Sequence, residues 1–224
     1  MFLLDGSSDV TEDDFTRSLR FVELMAKSFN VSSGDTHVAL IIYGDDPQTI
    51  FDLNGTLSIS DINLAISVVS FPNKVNRNVG RGLIHVSDNV IATKGRAGVP
   101  KIVVVVQNLK SLDGIDVISL QIRSDGVKVM SIGHGDEIAI GQLKEMAFKP
   151  TSLYVKDIGD DAIDSVDFVE QVKESIFSGE LCVMELFSRK SRSFLFMMVL
   201  LKLHHYYSVL LHNCLLSVAL VKTY

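Results

Sequence analysis

Continuous apolar runs alternate with amphipathic stretches along the first 180 residues, and this alternation most constrains the fold. Lys101-Ile102-Val103-Val104-Val105-Val106 carries four consecutive valines, and Val38-Ala39-Leu40-Ile41-Ile42-Tyr43 is apolar throughout. A strand with one wet face alternates polar and apolar residues, so runs without alternation predict strands covered on both faces. Phe2-Leu3-Leu4, Val127–Ile132 and Leu153-Tyr154-Val155 read as further strands. Thr49–Leu53, following Pro47, reads as an antiparallel partner at a sheet edge. The intervening stretches predict helices over Thr11–Phe29, Ser60–Val69, Gly80–Ile91, Asp116–Arg123, Ile138–Phe148 and Asp161–Phe177. Thr11 is placed as an N-cap, with Phe15, Leu19, Val22 and Met25 on one face. Strand–helix alternation of this kind predicts an α/β fold: a three-layer sandwich around a mainly parallel sheet with one antiparallel edge strand. In such sheets ligands sit beyond the carboxyl ends of the strands where the strand order reverses, which draws attention to Asp5–Asp9 and Gln107-Asn108.

Composition excludes several classes. The 224 residues carry a net charge of −6, against the basic face that nucleic-acid binding needs. Two cysteines, Cys182 and Cys214, support neither a disulfide scaffold nor a four-cysteine zinc site. Asp5 interrupts the opening apolar run, so no secretory signal is expected in this chain. The character changes near Gly179. No acidic residue follows Glu185, and Lys202 is the one formal charge between Ser193 and Val221. The expected division is a body over residues 1–178 and an apolar tail of unknown role over 179–224. Within residues 194–221, Lys202, His204, His205, His212 and Asn213 interrupt the apolar runs. Polar residues are costly at mid-bilayer, so a membrane span there is the lesser expectation.

Phe2-Leu3-Leu4-Asp5-Gly6-Ser7-Ser8-Asp9-Val10 resembles the opening of a von Willebrand factor type A domain, which has a strand followed by an Asp-x-Ser-x-Ser loop. The resemblance continues through Val38–Gly44, Asn78–Leu83, Gly98–Val105 and Gly126–Gly133, in the family's order, covering about residues 1–178. Within the family the chain looks most similar to the A domains of type VI collagen α chains, with matrilins next. The resemblance implies a Rossmann-like fold whose first strand is shortened here. It also implies an extracellular adhesion or assembly module that is secreted and is not an enzyme, with matrix proteins such as collagens as partners.

The family's usual chemistry is a metal-ion-dependent adhesion site, in which oxygen ligands from three loops hold a divalent cation, usually magnesium. Asp5 and Ser7 match the first two loop positions, Asp9 stands at the second Ser, Arg77 replaces the Thr, and Asn108 replaces the second Asp. The matched positions sum to −1, against −2 in the intact motif. Asp5, Ser7, Asp9 and Asn108 therefore form a degenerate metal site. Arg77 is a cation that cannot deprotonate, and it is expected to pair with Asp5 or Asp9 and stand in for the ion. No cofactor is expected, magnesium being the metal such a loop would take.

Other patterns weaken on inspection. Ser7, His85 and His134 suggest a hydrolytic triad, but no Gly-x-Ser-x-Gly elbow is present. Gly80-Arg81-Gly82 lacks the third glycine of a dinucleotide fingerprint and reads as helix entry. Asn30 and Asn54 begin glycosylation sequons. The acidic cluster Asp157, Asp160, Asp161, Asp164 and Asp167 reads as a solvated helix start. The expected function is protein binding. The alternatives are a non-functional or intracellularly retained fragment of a collagen-VI-like chain, and a membrane-anchored metal-dependent adhesion protein.

Overall fold

The computed structural model describes residues 1–29, 31, 36–54, 57–135, 137–159 and 162–188, with side chains through residue 178. Two compact units divide the chain, Met1–Lys173 and Glu174–Tyr224. The first contains a six-stranded sheet: β1 (Phe2–Asp5), β2 (Leu40–Tyr43), β3 (Gln48–Phe51), β4 (Ile102–Gln107), β5 (Lys128–Gly133) and β6 (Val155–Asp157). The strand order is β3-β2-β1-β4-β5-β6. Every neighbouring pair is parallel except β2–β3. The α/β sandwich and its antiparallel edge are therefore as the sequence pattern predicts.

β1 is central, with Leu3 registered against Ile41 on one side and Val105 on the other. Side chains alternate across a strand, and here both faces are covered. Leu3, Ile41, Val103 and Val105 pack with Leu83, Val86, Ile118, Ile122 and Leu143, which come from helices along one face. On the other face Phe2 meets Phe21 edge-on at 5.9 Å between ring centroids, and Phe21 lies 5.9 Å from Phe168. Covered faces explain why these strands show no polar alternation.

The helices are α1 (Glu12–Ser28), α2 (Ile59–Ser67), α3 (Val79–His85), α4 (Ala92–Lys94), α5 (Asp116–Ser124), α6 (Ile140–Met146), α7 (Thr151–Tyr154) and α8 (Val166–Ser188). Thr11 caps α1 by accepting from the Asp14 N–H at 3.1 Å. Ser58 caps α2 in a reciprocal box with Asp61. Gly82 lets α3 lie against the sheet, because a Cβ there would sit 3.0 Å from Leu3 Cδ1.

Three elements differ from expectation. The expected helix over Gly80–Ile91 is helical, but its second half, Val86–Ile91, is π-helical, an insertion helices accommodate as a local bulge. Leu153 and Tyr154 are helical rather than extended. The Leu153 N–H donates to Pro150 O at 3.1 Å, and the strand begins only at Val155. The last helix starts at Val166, where Ser165 Oγ accepts from Phe168 N at 3.2 Å, and it continues past Gly179 to Ser188. One interior glycine costs only about 1 kcal/mol, and no proline follows to stop the helix. Of the acidic cluster Asp167 lies in the first turn of this helix, as expected, but the cluster does not sit there as a group. Asp157 lies in β6, Asp164 meets Arg20 at 3.6 Å, and Asp160 and Asp161 lie outside the described residues. Among the described residues no helix is long and apolar enough to cross a membrane; residues 194–221 lie outside them.

Candidate functional site

The strand order reverses between β1 and β4, so the crevice at their carboxyl ends is the topological switch point. Asp5 is the last residue of β1, and Asn108 follows the last residue of β4. The loop after β1 is fixed by backbone bonds: Gly6 N to Tyr43 O at 2.9 Å, Ser8 N to Lys74 O at 2.6 Å, and Lys74 N to Gly6 O at 2.9 Å. The Ser7 N–H turns back onto Asp5 Oδ1 at 2.9 Å. Asp5 and Ser7 are buried. The other oxygens, Asp5 Oδ2 and Ser7 Oγ, have no hydrogen-bond partner, and neither does Asn108 Oδ1.

Burial pushes the Asp5 carboxyl above its ordinary value, opposed by the hydrogen bond from the Ser7 N–H and by the Arg77 charge. Burial and the nearby Asp5 charge raise the Tyr43 phenol well above its ordinary value, and its hydroxyl donates to Val106 O at 3.2 Å.

Arg77 enters from the loop before α3. Its guanidinium forms an ion pair with Asp9, the partly buried side chains being 13% and 33% exposed. Its Nε also donates to Lys110 O at 3.2 Å, and its carbonyl accepts from Leu112 N at 2.9 Å. Arg77 thus ties the loop after β1 to the loop after β4. Of the two partners the sequence proposed for it, Asp9 is the one paired.

Asp113 is a structural residue that sequence reasoning missed. Its carboxylate accepts from Gly80 N at 2.9 Å, Arg81 N at 2.7 Å and Ser111 Oγ at 2.6 Å, closing the start of α3 from the β4 loop. A Cβ at Gly80 would collide with Gly114 O. Carboxylates favour helix starts, but this one comes from a distant loop, and only the Asp113-Gly114 turn signal marked it in the sequence.

Ser7, His85 and His134 are not brought together as a triad. His85 Nε2 lies 2.7 Å from Thr49 Oγ1 in β3, while His134 Nε2 lies 3.9 Å from Asp14 Oδ1. Asn54 is exposed, and Asn30 lies outside the described residues.

Three buried acceptors without partners suit a cation in kind. In charge they do not. Asp5 is the one carboxylate not committed to an ion pair, Asn108 contributes a neutral amide, and the Arg77 charge already acts on Asp5. Magnesium is usually held by one or two carboxylates and keeps several waters. Here a fixed positive charge stands beside the single candidate. Among the described residues no group of three or more His, Cys, Asp or Glu could hold a metal.

The model of the von Willebrand factor type A domain matches residues 1–170. The chain belongs to that family. Human von Willebrand factor A domain-containing protein 2 is 31% identical over 155 residues, spanning 68% of this chain and 20% of the relative. The collagen alpha-1(XXI) chain of Xenopus laevis is 29% identical over 69% of this chain and 16% of its own length. Matrilin-1 of Gallus gallus is 27% identical over 68% of this chain and 31% of its own. The chain thus spans less than a third of each of these relatives. Among solved structures, proximal thread matrix protein 1 from the mussel byssus superposes with a TM-score of 0.71 at 22% identity, covering 78% of this chain and 47% of that one. A further structure of that protein, with a TM-score of 0.67, is described as having a zinc-occupied MIDAS motif.

Proposed function

We propose that this A domain is a non-enzymatic protein-interaction module of the extracellular matrix that binds its partners without a divalent cation. The observation that carries this reading is the Arg77–Asp9 ion pair, formed by a residue at the family's threonine position and one at its second serine position. The pair joins the metal-site loops with a covalently attached cation, so a bound ion is not required to hold them. A similarity to a collagen chain and a matrilin supports a matrix role, and the motifs resemble those of type VI collagen A domains. The domain body is taken as residues 1–178, a secreted form would carry a glycan at Asn54, and collagens are the partner class.

The test is binding of the full chain to immobilised collagens, in EDTA and in millimolar magnesium. Equal binding in both is expected. Binding that disappears in EDTA would overturn the reading.

A further inference from the structure

Arg77 is gripped by a loop that is itself held from behind. Residues 108–112 follow β4, and Ser111 is the buried one among them. Its two neighbours hold Arg77: Lys110 O accepts from Arg77 Nε at 3.2 Å, and Leu112 N donates to Arg77 O at 2.9 Å. Ser111 itself bonds in two directions. Its hydroxyl accepts from Val79 N at 3.0 Å and donates to Asp113 Oδ1 at 2.6 Å, joining the start of α3. Its backbone N–H donates to Gln142 Oε1 at 2.7 Å.

Gln142 belongs to α6, which is fixed against the sheet. Leu143 and Met146 are fully buried, and a Cβ at Gly133 of β5 would sit 2.8 Å from Leu143 Cδ1. Gln142 is buried too, and its Oε1 accepts a second bond, from Gln107 Nε2 at 2.5 Å. A backbone N–H can only donate, so the Ser111 bond fixes which end of the Gln142 amide faces the loop. Gln107 must then present its NH2 group, whose other N–H goes to Leu109 O at 2.7 Å. One acceptor on α6 thus satisfies two buried donors, one at the end of β4 and one in the loop that follows. Without it the Ser111 N–H and one Gln107 N–H are left unpaired, and buried donors left unpaired are costly enough to move a loop. Lys110 and Leu112 flank Ser111, so a shift there moves the groups that hold Arg77.

We propose that Gln142 is the positioning residue of the partner-binding edge: from α6 it sets the 108–112 loop, and through that loop it sets the Arg77 guanidinium against Asp9. The inference rests on the metal-independent reading above and names the residue on which its binding edge depends. A side chain that recognises a partner needs its own geometry fixed by supporting bonds. Gln142 supplies that support through Ser111, Lys110 and Leu112.

The experiment follows hydrogen exchange of the Arg77 Nε–H by NMR in the full chain, its signal identified by its loss in Arg77→Lys. Exchange at one bonded group reports local opening rather than the stability of the whole fold. Gln142→Leu, which removes the acceptor, should speed this exchange by at least about tenfold. Gln142→Glu, which keeps an acceptor facing Ser111 N, should hold it near the native rate. Ser58→Ala removes the cap of α2, lowers stability elsewhere and should leave the exchange unchanged. Should Gln142→Leu not fold, Gln142→Asn, one methylene shorter, carries the same expectation. In EDTA, Gln142→Leu should also weaken binding to immobilised collagens about as much as Arg77→Ala does. Exchange unchanged by Gln142→Leu, or quickened equally by Ser58→Ala, would overturn the positioning role, as would collagen binding that Arg77→Ala abolishes and Gln142→Leu leaves intact. Collagen binding that is absent, or that needs magnesium, would instead overturn the metal-independent reading, and the exchange rates would still decide the role of Gln142.

Discussion

At Arg77 a fixed cation meets a loop built of acceptors. A guanidinium cannot deprotonate, so its pairing with Asp9 persists at any pH where Asp9 is charged. Hydrogen bonds to charged groups contribute about 1.5–3 kcal/mol. We expect Arg77→Ala to cost about 2 kcal/mol by denaturant unfolding. Asp9→Ala in the Arg77→Ala background should cost far less than it does alone, because the partner is gone. Additive losses would show that the pair is not a unit. Asp5 makes the opposite prediction. Burial raises its folded pKa above the unfolded value, so the neutral carboxyl is the form the fold favours. Its contribution is fully present below the ordinary carboxylate pKa of about 3.9 and is lost as pH rises through the folded value. Asp5→Asn should therefore raise the unfolding temperature at pH 7, with the gain shrinking towards pH 4. A loss at pH 7 would mean that the Asp5 charge is stabilising after all. Asp5 was legible in the sequence as the end of the first strand, and Arg77 through the resemblance, which sets it at the family's threonine position. Asp113 was not, because its partners Gly80 and Arg81 lie more than thirty residues away and no local pattern joins them.

The elements were legible in proportion to how locally they are determined. α1 has its cap and periodic face within one stretch, and the structure starts it at Glu12 as the Thr11 cap requires. Thr11→Ala should cost about 1 kcal/mol, read as a shift in denaturant midpoint at constant slope. β4 was legible because four valines allow little else. The Leu153-Tyr154 stretch misled because a short apolar run suits a strand or a buried turn equally. Here Tyr154 is buried in a helical turn that follows Pro150. The last helix misled because acidic residues at Asp161 and Asp164 resemble a first turn, whereas the bond that starts it is made by Ser165. Phe21, fully buried between Phe2 and Phe168, joins α1 to the sheet. Phe21→Ala should cost about 3–5 kcal/mol, and a loss below about 1 kcal/mol would mean that this face is not packed as described.

At the scale of the whole molecule, a central β1 and a strand order that reverses beside it bring Asp5, Ser7, Asp9, Arg77 and Asn108 to one edge from three separate loops. For Asp5, Ser7, Asp9 and Asn108 that convergence follows from α/β topology and was readable from the alternation of runs, whereas Arg77 was placed there by the family resemblance alone. The pairing within the edge was not, because two carboxylates were open to one guanidinium. The most direct measurement is thermal unfolding of the full chain with and without about millimolar magnesium, beside the variant Arg77→Thr with Asn108→Asp. Magnesium at 100 times its dissociation constant would stabilise a competent site by about 2.7 kcal/mol, a shift of a few degrees. The native chain should show no shift and the variant should show one. A magnesium-dependent shift in the native chain would contradict the claim that Arg77 stands in for the ion.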